Sequence, residues 1–185
     1  ENAPEAQWRI GNLRHVVLSQ PNLAIKAYRN VSTNYPASNF AADALFQIAR
    51  IHGEQNQYEQ SASILESLSN DYPDYWNIHA VFFWLGVCYK QSRDYRRSVQ
   101  AFETFLHVYL PNLDPSYFGQ IGRHNQSHAQ IEMELRSTIR QLKSELPEVE
   151  WNKINDLVAA SNYLVALTLT RQLIVDAPHS EYAEK

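Results

Sequence analysis

With 185 residues, 44% of them apolar and 19% charged, the chain has the composition of a folded globular protein and not of a disordered one. A net charge of −4, with Arg96 and Arg97 as the one adjacent basic pair, supplies no basic footprint for nucleic acid. No run approaches the ~18 consecutive apolar residues of a membrane span, five glycines are few for a turn-rich β-fold, and the lone Cys88 excludes an intramolecular disulfide.

The chain repeats itself. Ala24, Ser61 and Ser98 follow one another at intervals of 37 residues. Each is followed four positions later by a large side chain, Tyr28, Leu65 or Phe102, and three further on by Val31, Leu68 or Phe105. Pro36 and Pro73 close the first two units in phase; Pro111 closes the third one position late. Tyr58, Ala62, Leu65 and Leu68 share one helical face, as do Tyr95, Val99, Phe102 and Phe105. Asn56 with Glu59 has capping-box spacing at a helix start. Two antiparallel helices need a small residue at closest approach, which is the reading given to Ala24, Ser61 and Ser98. Cys88, inside the apolar run from Val81 to Tyr89, reads as a buried, unreactive thiol.

In chain order the spacing predicts three helix–turn–helix units over residues 5–36, 39–73 and 75–111. Residues 112–146 break the pattern. Pro115 to Gly122 reads as a loop or short helix, and Ile131, Leu135, Ile139, Leu142 and Leu146 trace one face of an inserted helix. A fourth unit over 147–178 keeps Ala166, Tyr163 and Pro178 in phase, with Thr170 where a large apolar residue is expected. Residues 179–185 open a further unit, so the sequence is expected to stop within a repeat of a longer protein.

These residues resemble the tetratricopeptide repeat family. A unit counted from His79 carries Phe82, Leu85, Gly86, Tyr89, Ser98, Phe102 and Phe105 at the characteristic positions. One counted from Ala42 carries Leu45, Ile48, Ala49, Ser61, Leu65, Leu68 and Pro73, with His52 departing from the usual aromatic. In the first unit Trp8, Ala24, Tyr28 and Pro36 match. The resemblance implies an all-α solenoid, an α–α superhelix of antiparallel helix pairs with an inserted helix, acting as a protein-interaction scaffold without catalysis or cofactor. Pro36-Ala37-Ser38-Asn39-Phe40-Ala41, repeated at Pro178-His179-Ser180-Glu181-Tyr182-Ala183, is similar to junctions in repeat proteins of the bacterial envelope. Those include the lipoprotein of the outer-membrane β-barrel assembly machinery and the periplasmic partner of the Tol–Pal system, so a periplasmic setting is expected.

The family's first helices line a concave groove. Carried over, its groove positions are Phe46, Gln47, Arg50 and Glu54, with Asp43, in the second unit, and Phe83, Trp84, Val87, Lys90 and Gln91 in the third. Arg9, Leu13 and Val16 extend the groove at one end, and Trp151, Asn152 and Asn155 at the other. Aromatic anchors beside Arg50 and Lys90 suit a partner segment with apolar and acidic side chains; the alternative for Phe83 and Trp84 is core. The Lys/Asn clamp of chaperone-tail receptors is not matched, since Phe46 and Arg50 stand in its place.

Two groups of residues suggest other readings. Tyr75, Trp76, Phe82, Phe83 and Trp84 form an aromatic cluster, and with uncapped solenoid ends they suggest a homodimer. His124, His128 and Glu132, four apart, would share a helix face and form a metal site; Glu132 equally suits a surface pair with Arg136. No Gly-rich phosphate loop or nucleophile elbow occurs.

Overall fold

The computed structural model describes residues 3–182. Among them eight α-helices follow in order: α1 Ala3–Asn12, α2 Pro21–Asn34, α3 Asn39–Glu54, α4 Tyr58–Asp71, α5 Ile78–Gln91, α6 Tyr95–Thr104, α7 His128–Ala159 and α8 Tyr163–Asp176. Each helix packs on the next across the short turns, with the segment from Phe105 to Ser127 intervening between α6 and α7. Short connections make such neighbours antiparallel, and the result is an all-α superhelix of stacked hairpins. No strand occurs among the described residues.

The turns inside the hairpins repeat the same backbone device. Ser19, Asn56, Arg93 and Ser161 all adopt positive φ, between 52° and 62°. The next residue then reaches back over the helix end, Gln57 to the carbonyl of His52, Asp94 to Tyr89 and Asn162 to Leu157, each at 2.8 Å. This satisfies carbonyls that a helix end leaves open, in the manner of a Schellman cap. Asn56 is therefore a left-handed turn residue, and the expected Asn56–Glu59 capping box does not form. α4 begins one residue later, after Gln57, and the Asn56 side chain accepts from the Tyr58 hydroxyl at 2.7 Å. Between hairpins proline sets the turn. The amide two residues beyond Pro36, Pro73, Pro111 and Pro178 donates in each case to the carbonyl just before the proline, at 2.9 to 3.2 Å. These are β-turns with proline at their second position, where its fixed φ fits.

Two π-helical turns account for the irregular spacing. The turn Phe105–Tyr109 precedes Pro111, the proline that stands one position late, and a π turn accommodates one extra residue. The other, Leu13–Val17, follows α1. There Gly11 lies against the ring of Tyr28, 17 positions on, whereas Gly86 lies against Phe102, 16 positions on.

Close approach within a hairpin rests on these contacts. A Cβ on Gly86 would stand 2.5 Å from the Phe102 ring, and one on Gly11 would stand 2.6 Å from Tyr28. Ser98 and Ser61 are buried, and their hydroxyls donate across the hairpin to the carbonyls of Gly86 and Ala49, both at 2.8 Å. The small residue therefore also ties its own helix to the other helix of the hairpin. Three apolar clusters result: one at α2–α3 around Tyr28, Val31 and Ile48, a large one from Ala42 to Leu142, and a small one of Ile154, Ala166 and Leu173.

α7 belongs to two of these clusters. It opens with a full capping box, Ser127 with Gln130, and buries Ile131, Leu135, Ile139 and Leu142 in the large cluster. It then runs through Pro147 without a break and gives Ile154 to the small one. The inserted helix expected to end at 146 and the first helix of the expected fourth unit are thus one 32-residue helix. The segment expected to open a further unit, 179–185, lies partly outside the described residues. Besides α7 itself, Arg96 of α6 holds the last hairpin to the third, pairing with Glu150 at 2.6 Å and with Asp176.

Ser98 provides a direct check on this packing. Ser98→Leu adds two heavy atoms at the crossing beside Gly86 and is expected to cost about 1–3 kcal/mol by overpacking. Ser98→Ala removes only the hydrogen bond and is expected to cost about 1 kcal/mol. Denaturant melts measure both, and equal losses would contradict the assignment.

Candidate functional site

α3 and α5 lie side by side over α4 and leave a cavity of about 290 Å³ between them. Six of the positions expected in the groove line it: Phe46, Arg50, Glu54, Trp84, Val87 and Gln91. On α3, residues 46, 50 and 54 face it because they lie one turn apart; on α5, residues 84, 87 and 91 do. Ala49, Gly53, Tyr58, Ser61, Leu65 and Cys88 complete the lining, and sequence reasoning does not single them out as site residues. Ser61 was read only as a helix-contact residue, though a side chain at the narrowest crossing also floors any gap above it.

The floor is chemically closed. The Cys88 thiol donates to the Ser61 hydroxyl at 3.2 Å, which donates in turn to the Ala49 carbonyl at 2.8 Å. Burial pushes the thiol up from its ordinary range, only partly offset by Ser61, so it stays protonated and unreactive at neutral pH.

The rim is charged. The Arg50 guanidinium donates to the Gln47 amide oxygen at 3.3 Å and stands 3.7 Å from Glu54. Glu54 also meets His15 at 2.8 Å. Behind this rim Tyr28 is fully buried, and desolvation raises its hydroxyl to about 12 despite the Arg50 charge. Lys90 is exposed and forms no ion pair among the described residues.

Several expected groove residues have other work. Phe83 is buried with its ring 5.4 Å from Phe105 and 6.0 Å from Phe102, so it is core and not a free anchor. Phe46 is also buried, beside Tyr75, and reaches only the cavity wall. Trp84 is half-buried because its indole N–H donates to the Gln120 carbonyl at 3.0 Å, in the 3-10 segment Pro115–Ile121. Asp43 accepts from Tyr75 at 2.6 Å and Trp76 at 3.1 Å. Arg9 pairs with Glu5 within its helix, Leu13 and Val16 are exposed on the π turn, Trp151 packs near Tyr182, and Asn152 and Asn155 are exposed. Asp43, Arg9, Leu13, Val16, Trp151, Asn152 and Asn155 do not line the cavity, and neither do Phe83, Gln47 and Lys90.

The aromatic cluster and the His/Glu triplet are both corrected. Tyr75 and Phe83 are buried and Phe82 stacks on Tyr109, which leaves Trp76, 55% exposed, as the one largely open ring of the five. His124 sits in the turn before α7 with its ring against Gly119, so it shares no helix with the other two. His128 bonds the Leu113 carbonyl at 2.7 Å, and Glu132 pairs with Arg136 at 2.8 Å. No group of three or more His, Cys, Asp or Glu side chains converges among the described residues.

His79, at the start of α5, is buried edge-on to Tyr117, and its Nε2 has no hydrogen-bond partner among the described residues. Burial holds its imidazole below the ordinary value of 6.5. The unfolded chain therefore takes up this proton first, and stability falls as pH drops below about 6.5 until the folded imidazole also titrates. Melting curves from about pH 7 to about pH 5 should show a shallower loss for His79→Gln than for the unaltered protein. Parallel curves would contradict this.

No helix among the described residues is long and apolar enough to cross a membrane. No curated protein matches the chain. Residues 43–75 and 80–109 match the tetratricopeptide repeat family, each beginning one residue after the units counted from Ala42 and His79. Repeats of this family generally mediate protein–protein interaction, and the matched residues fall on the hairpins that flank the cavity, α3–α4 and α5–α6.

Proposed function

We propose that this chain is a non-catalytic scaffold that holds a segment of a protein partner in the concave groove lined by α3 and α5. The observation that carries the reading is the cavity, where six positions implied by family resemblance surround one apolar recess with Arg50 and Glu54 at its edge. Such a surface, apolar inside and charged at the rim, has the anatomy of a peptide-recognition site. The Pro-x-Ser-x-aromatic-Ala junctions support a setting in the bacterial envelope within a larger assembly factor. Fractionation of the source cells tests that part separately.

Self-association is the second reading, favoured by exposed apolar side chains: Leu13, Val16 and Val17 in the π turn after α1 are 51–69% exposed, and Tyr163, Leu164 and Val175 of α8 are 63–78% exposed.

Charge reversal tests the groove. Arg50→Glu with Lys90→Glu is expected to weaken capture of the partner from source lysate by about tenfold. Both side chains are exposed, so the melting temperature should stay nearly unchanged. A loss of fold would make these residues structural, and an unchanged capture list would shift the reading towards self-association.

A further inference from the structure

The cavity between α3 and α5 has a chemistry more specific than a groove for peptides in general. Its walls are Phe46, Leu65, Trp84 and Val87, and its floor carries no uncommitted donor. The Cys88 and Ser61 hydrogens are spent on Ser61 and Ala49, and the Tyr58 hydroxyl donates to Asn56. A polar side chain reaching the floor would give up water without a donor to replace it. An apolar one loses nothing of the kind. At about 290 Å³ the space is roughly twice the apolar cavity of about 150 Å³ known to admit a benzene ring, so a bicyclic aromatic side chain fits.

The rim adds a second requirement. Arg50 lines the cavity, and its single carboxylate neighbour, Glu54, stands off at 3.7 Å and is shared with His15 at 2.8 Å. A guanidinium carries five N–H donors in a planar fork. Arg50 gives one to Gln47, so its fork remains open to an incoming carboxylate. Lys90, exposed on α5 one position before the lining residue Gln91, forms no ion pair among the described residues.

We propose that this cavity takes one large aromatic side chain of a partner peptide while a neighbouring carboxylate of the same peptide pairs with Arg50. The inference rests on the groove reading above and deepens it, since it names the residue pair the groove selects. A lone apolar side chain lacks the pairing with Arg50, and a basic peptide meets like charge there.

The test uses two synthetic peptides, acetyl-Gly-Trp-Asp-Gly-amide and acetyl-Gly-Trp-Lys-Gly-amide, titrated into the full chain with methyl-labelled Ala, Leu and Val. The methyls of Ala49, Leu65 and Val87 should shift on addition of the Trp-Asp peptide, which should bind about fivefold more tightly than its Trp-Lys counterpart. Val87→Trp, which fills the cavity from this chain's own side, should abolish the shifts. Arg50→Glu should reverse the Asp-over-Lys preference and decides the matter if Val87→Trp fails to fold. Absence of methyl shifts at the solubility limit of the Trp-Asp peptide would overturn the inference, as would equal affinities or shifts that persist in folded Val87→Trp. If capture of the natural partner depends on Arg50 and Lys90 while neither peptide enters, the groove reading stands and the anchor falls. If the peptides enter but capture ignores Arg50 and Lys90, the anchor site stands and the groove reading falls.

Discussion

The contact on which the rest of the molecule depends is the crossing of the two helices in a hairpin, where Ser98 meets Gly86 and Ser61 meets Ala49. At these points the backbones approach so closely that the second helix donates a side-chain hydroxyl to the first helix's carbonyl. A fully buried Phe ring contributes about 1.5–3 kcal/mol by leaving water, and Phe102 obtains that burial only because Gly86 has no Cβ in its way. The close crossing also fixes what lies above it. With α3 and α4 drawn together at Ser61, and α5 laid alongside, the gap between the two first helices is floored but not filled. The cavity follows from the packing of the repeat, with no separate binding domain required.

The same geometry explains why the chain tolerates irregular spacing. A solenoid needs each hairpin to present the same face to the next, and one extra residue would rotate every later side chain by about 100°. The π turns at Leu13–Val17 and Phe105–Tyr109 absorb extra residues where the helix has already made its crossing contact, so the phase error stays local. The last hairpin is held differently. Its own core is small, and its attachment relies on the continuity of α7 and on Arg96 bridging Glu150 and Asp176.

Much of the fold was legible because small residues, aromatics and prolines each recur for a single steric reason. Ser61, Ser98 and the four prolines have the roles in helix crossing and turns that their spacing suggests, while the part of Gly86 in the crossing appears only in the structure. What escaped had no distinctive residue. The left-handed turn position carries Ser, Asn, Arg and Ser in its four occurrences, and glycine in none, so composition did not mark it. The π turn showed only as the late Pro111. The boundary expected between 146 and 147 does not exist, since α7 continues through Pro147, a residue that usually ends helices. For the site, the face of each first helix was legible from helical period, but depth was not. Phe83 and Trp84 are adjacent in sequence; one is enclosed by Phe102 and Phe105, the other is drawn aside by the Gln120 carbonyl. Both partners come from segments whose position no local pattern specifies.

The central claim is that partners meet this chain on the face shared by α3 and α5. The most direct measurement places a photo-crosslinking amino acid at Gln47 or Gln91 on that face, and at Ser63 or Gln100 on exposed positions of α4 and α6, in the protein expressed in its source cells. Crosslinks to the same partner from Gln47 and Gln91, and none from Ser63 or Gln100, are the predicted result. Crosslinks confined to Ser63 and Gln100 would place recognition on the opposite surface and contradict the account.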